Sequence, residues 1–170
     1  MFHFYSLYSG SSGNSLFVET SNTKILIDAG ESAKKITEAL SHLHVDVSDI
    51  NAIFVTHEHT DHTKGLATLS KKYQIPVFAN QETWNAMPSQ ADKIPEEMKF
   101  CYTPNQEMKF EDLSILPFSI PHDAANPCGF NIIHNNEKIS IATDLGHINK
   151  EILSHLEESK FLLLEANYDP

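Results

Sequence analysis

Four residues with metal-binding side chains fall within six positions of the chain, in the segment Thr56-His57-Glu58-His59-Thr60-Asp61-His62. Imidazole nitrogens and carboxylate oxygens are ligands that suit zinc, and also manganese or iron. The segment follows a short apolar strand, Ile53-Phe54-Val55, and precedes a helix. It therefore lies at the carboxyl end of a strand, where sites in layered α/β structures tend to form. The spacing predicts two adjacent metal sites, against the alternative of a solvated, histidine-rich loop.

Two more residues of ligand type follow predicted strands elsewhere in the chain. His122 comes after the strand Ile115 to Ile120, and Asp144 comes after the strand Ile139 to Thr143. Taken alone, His122 is as typical of a surface residue as of a metal ligand, and Asp144 is more typical of a turn residue than of a ligand. Because both come at strand ends, as the histidine segment does, we expect them to converge with it at one rim of the fold.

Asp28 and the residues between the ligands are expected to have other roles. Asp28 ends the strand Ile25-Leu26-Ile27 and precedes Ala29-Gly30. We expect it to orient the histidine segment through hydrogen bonds, and the alternative is a turn-forming aspartate. Glu58 and Thr60 alternate with the ligands and are expected to point away from the site.

A loop of small residues near the start of the chain is a candidate phosphate-binding element. Its backbone N–H groups can face an anion, and the candidate residues are Ser11, Ser12, Gly13 and Asn14. The alternative is a plain loop between two strands.

Apolar alternation, apolar runs and turn residues divide the chain into strands and helices. The predicted strands are His3 to Tyr8, Ser15 to Thr20, Lys24 to Asp28, Asn51 to Val55, Val77 to Ala79, Lys109-Phe110, Leu113 to Ile120, Gly129 to His134, Lys138 to Thr143 and a buried strand, Phe161 to Glu165. The predicted helices are Ser32 to Leu43, Thr63 to Tyr73, Gln81 to Met87 and a last one, capped by Asn149, to about Glu158. Asn135-Asn136 is a tight turn, and Pro88 to Pro104 is expected to be irregular. This order fits two sheets packed face to face with helices outside.

Length and composition set the broad class of the protein. The 170 residues suffice for one domain with a sizeable core, so we assign 1–170 to a single domain. The net charge of −11 argues against a surface that binds nucleic acid over its whole extent. It does not exclude a nucleic-acid substrate, because two divalent cations would add about +4 inside one cleft.

The location of the protein is predicted from what the sequence lacks. No apolar run approaches the roughly 20 residues of a membrane-spanning helix, and the N-terminus has no signal-peptide pattern. Cys101 and Cys128 follow no zinc-finger or disulfide spacing. These features favour a reducing cytoplasm and no membrane partner.

The motifs together resemble the metallo-β-lactamase superfamily. The matching pieces are Asp28-Ala29-Gly30, the H-x-H-x-D-H segment from His57 to His62, His122 and Asp144. Within the superfamily, the flanking segments are similar to the YycJ/WalJ group of bacterial proteins, which is described as 5′-to-3′ exonucleases acting on DNA. Those segments are Ser9 to Asn14, Pro121 to Ala124, Thr143 to Gly146 and Leu164 to Asp169.

The resemblance implies an α+β fold, a four-layer αββα sandwich, with two divalent metal ions (zinc or manganese, with iron possible). It implies His57, His59 and His122 on one metal, Asp61 and His62 on the other, and Asp144 bridging both. Asp61, His122 and Asp144 are then the catalytic candidates. The family pattern also has a late histidine ligand for the second metal, which this sequence lacks. We therefore expect the C-terminal part of the sandwich to lie outside these 170 residues. The chain also has Asn167-Tyr168-Asp169 where the resemblance predicts Asn-His-Asp.

Three functional hypotheses follow. The first is a metal-dependent phosphodiesterase that acts as a 5′-to-3′ DNA exonuclease through a water activated by two metals. The second, motivated by the acidic charge, is a hydrolase of a small phosphodiester or thioester. The third, motivated by the missing late histidine, is a non-catalytic, metal-stabilised regulatory module.

Overall fold

A computed structural model gives the fold of the chain and describes residues 1–166, with Ala166 described by its backbone alone. The strands are β1 (Phe2–Tyr8), β2 (Ser15–Thr20), β3 (Lys24–Ile27), β4 (Ala52–Phe54), β5 (Val77–Ala79), β6 (Lys99–Cys101), β7 (Met108–Phe110), β8 (Leu113–Ser119), β9 (Cys128–His134), β10 (Glu137–Leu145) and β11 (Phe161–Ala166). The helices are α1 (Ala33–His42), α2 (Thr60–Thr63), α3 (Leu66–Tyr73), α4 (Gln81–Ala86), α5 (Pro88–Ala91) and α6 (Lys150–Leu156). None of the helices within 1–166 has the length and apolar composition that crossing a bilayer requires.

The strands form two sheets. The first has six strands in the order β1-β2-β3-β4-β5-β6, and the second has five in the order β11-β10-β9-β8-β7. In the first sheet β1, β2 and β3 pair antiparallel, and β3 to β6 pair parallel. In the second sheet β7 to β10 pair antiparallel, and β11 pairs parallel with β10. The carboxyl ends of the parallel strands β3 and β4 therefore lie side by side at one edge.

Three clusters of buried side chains separate four layers. Residues of α1, α3 and α4 pack on the outer face of the first sheet, around Phe17 and Ile53. The inner faces of the two sheets meet around Phe54 and Phe130, whose rings lie 6.0 Å apart. Ile152 and Leu156 of α6 pack on the outer face of the second sheet. Burial of these apolar surfaces is the main favourable term in folding, and it gives the predicted αββα arrangement.

Local sequence signals fix where several elements begin. The side chains of Ser32, Asn80 and Asn149 accept hydrogen bonds from backbone N–H groups in the first turns of α1, α4 and α6, as N-cap residues do. Asn135 and Asn136 both have positive φ, 48° and 65°, which the tight turn between β9 and β10 requires. The predicted cap at Asn149 and the predicted turn are confirmed.

The prediction of irregular structure over Pro88 to Pro104 is wrong. This segment contains α5, a 3₁₀ turn at Glu96–Met98, and β6. Strand β6 has three residues and pairs with β5. Three residues are too few to show an alternation of apolar and polar side chains. The segment is a strand because it pairs with the neighbouring β5.

The prediction that the last strand is buried is also wrong. β11 is an edge strand, and its side chains Phe161 and Leu162 are each 48% exposed, with Leu164 39% exposed. An apolar run indicates a strand covered on both faces. Here β11 pairs with β10 alone among the described strands, so the apolar composition overstates its burial.

Candidate metal centre

Three histidine rings from two distant parts of the chain meet at the rim. His57 Nε2 lies 3.2 Å from His59 Nδ1, and His59 Nδ1 lies 3.3 Å from His122 Nε2. A tetrahedral ion with metal–nitrogen bonds of 2.0–2.1 Å separates its ligand nitrogens by roughly 3.3 Å. The spacing of the three nitrogens therefore fits one divalent ion.

A second group of donors adjoins the first and shares His57 with it. The ligand atoms of His57, His62 and Asp144 lie within 4.8 Å of one another. His62 Nε2 is 2.8 Å from Asp144 Oδ2 and 3.5 Å from Asp61 Oδ2. Asp144 Oδ2 is also 3.9 Å from His57 Nε2, so this carboxylate lies between the two groups. The structure thus brings all six predicted ligands together.

Strand ends position these side chains. His57 and His59 follow β4, and the short helix α2 carries Asp61 and His62. The helix predicted from Thr63 begins earlier, at Thr60, and is interrupted at Lys64-Gly65 before α3. The interruption allows α2 to turn its two ligands into the rim while α3 packs on the sheet.

Two aspartates with left-handed backbone direct their carboxylates into the site. Asp28, just after β3, has φ 63°, and Asp144, near the end of β10, has φ 57°. This conformation is uncommon for residues other than glycine, although aspartate adopts it more readily than most. Backbone strain of this kind is concentrated at functional sites.

Asp28 accepts three hydrogen bonds from the histidine segment and its flank. Its Oδ1 accepts from the backbone N–H of Thr56 at 2.8 Å, and its Oδ2 accepts from Thr56 Oγ1 at 2.7 Å. His62 Nδ1 lies 2.7 Å from the same Oδ2. The contact with Nδ1 leaves Nε2 of His62 facing Asp61 and Asp144. This geometry fits the orienting role predicted for Asp28, which stays a prediction.

Close backbone crossings hold the rim together beneath these side chains. Asn14 N donates to Asp61 O at 2.7 Å, Gly30 N donates to Asn14 O at 2.8 Å, and Ala29 N donates to His62 O at 2.9 Å. A Cβ at Gly30 would lie 1.7 Å from Asp61 O. Glycine is therefore required here by the approach of the ligand-bearing backbone.

Two rings of the first group, His57 and His122, are shifted toward the neutral form that binds a cation. Burial, and then the neighbouring imidazoles, lower the pKa of His57 to about 2. Burial also lowers the pKa of His122. A metal ligand must offer a lone pair, so an unprotonated ring is the form that binds.

The second group has the opposite electrostatics. Burial alone would lower the pKa of His62, but Asp28 and Asp144 outweigh it and raise that pKa to about 10. Burial likewise opposes ionisation of Asp144, and its hydrogen bond with His62 gives a net lowering of the pKa. The second group therefore favours positive charge beside its carboxylates, which a divalent cation would supply.

The small-residue loop lies beside this second group. Asn14 Nδ2 lies 3.2 Å from His62 Nε2 and 3.4 Å from Asp61 Oδ2. Two of the backbone N–H groups proposed for phosphate are already engaged, since Gly13 N donates to Gly10 O and Asn14 N donates to Asp61 O. The phosphate-binding role of this loop stays a prediction, and it depends on Ser11, Ser12 and the side chain of Asn14.

Glu58 lies between two ligands in the sequence but contacts another loop. The alternation predicts that it points away from the ligands, and it belongs to neither donor group. Its Oε1 accepts a hydrogen bond from the backbone N–H of Ala125 at 2.9 Å. Ala125 belongs to the loop that carries His122, and Ala124 N donates to His122 O at 2.9 Å. Glu58 therefore ties the loop of the third histidine to the histidine segment. Its position between two ligands was the one signal in the sequence.

The substitution of tyrosine in Asn167-Tyr168-Asp169 lies outside the described residues. The ligand geometry above rests on residues 14–144 and does not depend on this segment.

The fold and the donor set place the chain in a known class. The chain belongs to the metallo-β-lactamase superfamily, because the family described as "Beta-lactamase superfamily domain" matches residues 23–170. Two similar proteins are "Exodeoxyribonuclease YycJ" of Bacillus anthracis and "Exodeoxyribonuclease WalJ" of Streptococcus pneumoniae. The first is 38% identical over 167 residues and the second 36% identical over 170 residues, covering 98% and 99% of this chain. The chain spans 63% of the length of each relative.

A solved structure supports the fold at greater distance. Zn²⁺-bound PqqB from Methylobacterium extorquens matches with a TM-score of 0.75 at 16% identity. The match covers 89% of this chain and 59% of the other. At this identity the likeness shows the fold alone.

Proposed function

We propose that this protein is a metal-dependent phosphodiesterase that degrades DNA as a 5′-to-3′ exonuclease. The observation that carries the proposal is the pair of adjoining donor groups, which share His57 and have Asp144 between them. The names of the two similar exodeoxyribonucleases support DNA as the substrate. The fold and the histidine–aspartate cluster support binding of divalent metal.

The ligand set assigns residues to two ions. His57, His59 and His122 would hold one ion, Asp61 and His62 would hold the other, and Asp144 would contact both. Nitrogen and carboxylate donors suit zinc or manganese. When bound, two such cations lower the pKa of a water molecule and neutralise the charge of a phosphate group.

Asp61 has the position to handle the proton of the attacking water. Among the predicted ligands Asp61 has a partly exposed carboxylate, at 32%, whereas His62 beside it is fully buried. In hydrolysis, the water oxygen bonds to phosphorus and the bond from phosphorus to the leaving oxygen breaks. Asp61 accepts the proton that the water loses, and the leaving oxygen takes a proton from solvent. Asp28 keeps His62 oriented through Nδ1 during this exchange.

The experiment is incubation of the purified protein and Mn²⁺ with duplex DNA labelled at either the 5′ or the 3′ end. We expect mononucleotides to be released first from the 5′ label, and a chelator to stop the reaction. The H59A variant removes the ligand common to both short nitrogen contacts and is expected to lose at least 100-fold in rate, by analogy with the loss of other catalytic groups. Absence of release by the wild type, or release that H59A leaves unchanged, would contradict the proposal.

A second candidate is a hydrolase of a small phosphodiester or thioester. The net charge of −11 favours it, because such a surface repels long DNA. Turnover of a chromogenic phosphodiester with none on duplex DNA would select this candidate. Tight metal binding without turnover of either substrate would favour the non-catalytic module instead.

A further inference from the structure

A cluster of one buried carboxylate and two lysines lies next to the candidate metal centre. The Glu31 side chain is 5% exposed, and its Oε1 lies 2.9 Å from Lys35 Nζ. Its Oε2 lies 3.6 Å from Lys64 Nζ and accepts a hydrogen bond from Ser32 N at 3.2 Å. Lys35 is on α1, and Lys64 directly follows α2, so the carboxylate joins two helices.

The cluster carries a net positive charge in an acidic protein. In residues 1–166, the other ion pairs of lysine each join one lysine to one carboxylate, whereas Glu31 pairs with two. A hydrogen bond from Lys35 lowers the pKa of the Glu31 carboxyl, so the group counts as −1 against +2. The chain as a whole has a net charge of −11, and this cluster places a local excess of positive charge beside the candidate metal centre.

Both ammonium groups have donors left for a ligand. A lysine head has three N–H donors; Glu31 accepts one from Lys35 at 2.9 Å, while Lys64 forms an ion pair with it at 3.6 Å without a hydrogen bond. The Lys35 and Lys64 side chains are 54% and 51% exposed. Glu31 thus holds the two heads in place while their remaining donors face solvent.

The cluster touches the loop that leads into the site. A Cβ at Gly13 would lie 2.7 Å from Glu31 Cγ, so the small-residue loop packs directly on the glutamate. The next residue, Asn14, has its side chain against His62 and Asp61. Lys64 is two residues beyond His62. The Glu31 side chain is therefore linked to the ligands Asp61 and His62 through the adjacent residues Gly13 and Asn14.

We propose that Lys35 and Lys64, held by Glu31, bind backbone phosphates of the DNA strand whose end enters the metal centre. The inference rests on the proposed function, because it takes DNA as the substrate. Lysine binds phosphate as a point charge, and contacts to phosphate fix the register of DNA without reading its sequence. The ligand class is a phosphodiester chain longer than the scissile unit.

The test is the affinity for duplex DNA with phosphorothioate linkages, which resist cleavage, measured by fluorescence anisotropy with Mn²⁺ present over 50–200 mM salt. Each phosphate contact contributes roughly −0.9 to the slope of log K against log salt. K35Q/K64Q keeps side-chain donors for Glu31 and removes both charges. We expect it to bind about tenfold more weakly, with a slope shallower by about 1.8.

Two variants provide matched controls. K35R/K64R retains both charges and is expected to keep the wild-type slope, which separates charge from folding. K71Q/K72Q removes two exposed lysines from the far end of α3, where they line a shallow groove with Lys93. We expect its affinity to remain within twofold of the wild type.

The outcomes separate the inference from the proposed function. An unchanged affinity and slope in K35Q/K64Q, or an equal loss in K71Q/K72Q, would overturn the inference even if the protein cleaves DNA. Lysine-dependent binding without cleavage of ordinary DNA would leave the inference standing and overturn the exonuclease. Failure of the wild type to bind DNA would overturn both.

Discussion

In the histidine segment, hydrogen bonds to one ring nitrogen determine which nitrogen of each histidine faces the site. Asp28 contacts Nδ1 of His62, and Thr56 Oγ1 lies 2.9 Å from Nδ1 of His57. Both contacts leave Nε2 facing the site. This arrangement of groups behind metal-ligating histidines is common, because it fixes the tautomer and the orientation of the ring.

Glu58 gives the sharpest prediction at the scale of single residues. E58A removes the acceptor for Ala125 N and releases the middle of the loop that carries His122. We expect the affinity for Zn²⁺ at the three-histidine site to fall 10- to 100-fold, as for other residues that support metal ligands. Competition with a chromophoric chelator measures this affinity.

The conservative variant and a remote glutamate are the controls for Glu58. E58Q retains an oxygen acceptor at Oε1 and is expected to restore the affinity to within a few-fold of the wild type. E97A removes an exposed glutamate far along the chain and should have no effect. Equal zinc affinities for E58A and the wild type would show that Glu58 does not position His122.

At the scale of elements, Asp112 fastens one sheet to the other. It lies between β7 and β8 of the second sheet and accepts a hydrogen bond from Thr20 Oγ1 at 2.8 Å and another from Thr23 Oγ1. Both threonines belong to the β2–β3 hairpin of the first sheet. His134, at the end of β9, lies 3.5 Å from the same carboxylate. One side chain therefore links three turns at the end of the sandwich.

The lowered pKa of the Asp112 carboxyl predicts that the stability of the protein depends on pH. Burial alone would raise the pKa of its carboxyl, but the hydrogen bonds from Thr23 and Thr20 and the nearby His134 give a net lowering. A carboxyl whose folded pKa lies below its unfolded value of about 3.9 stabilises the protein above that value. The stabilisation is lost as the pH falls through the folded pKa.

Denaturant unfolding from pH 7 to pH 3 tests this effect. We expect D112N to lower the free energy of unfolding by about 1.5 kcal/mol at pH 7, and the difference from the wild type to shrink below about pH 4. D92N, at an exposed helix end, should match the wild type throughout. A difference that grows as the pH falls would contradict the assigned sign.

Local signals explain which elements the sequence predicts. β2 and β5 have the predicted bounds because apolar alternation and Pro76 mark them, and the Asn135-Asn136 turn follows from residues that tolerate positive φ. The sequence does not predict β6, because this strand forms through its pairing with β5 rather than through a pattern of its own. The exposure of β11 was missed because an apolar run does not reveal how many neighbours a strand has.

At the scale of the whole molecule, the ligand set and the supporting Asp28 could be predicted from the sequence, whereas the contacts of Glu31 and Glu58 could not. Ligand types recur at strand ends, and four of them share one short segment, so the set has a pattern. Glu31 is a single acidic residue without a spacing signal, and the one signal for Glu58 is its position between two ligands. Their roles depend on which helix or loop the folded chain places opposite them, and this is information that a linear pattern does not hold.

We propose that the rim holds two divalent ions in adjoining sites. Anomalous X-ray diffraction from crystals of the protein grown with zinc measures the number and the place of the ions directly. We predict two peaks, one among the ring nitrogens of His57, His59 and His122, and one beside His62, Asp61 and Asp144. No peak within this cluster, or zinc bound only at another face of the molecule, would contradict the claim.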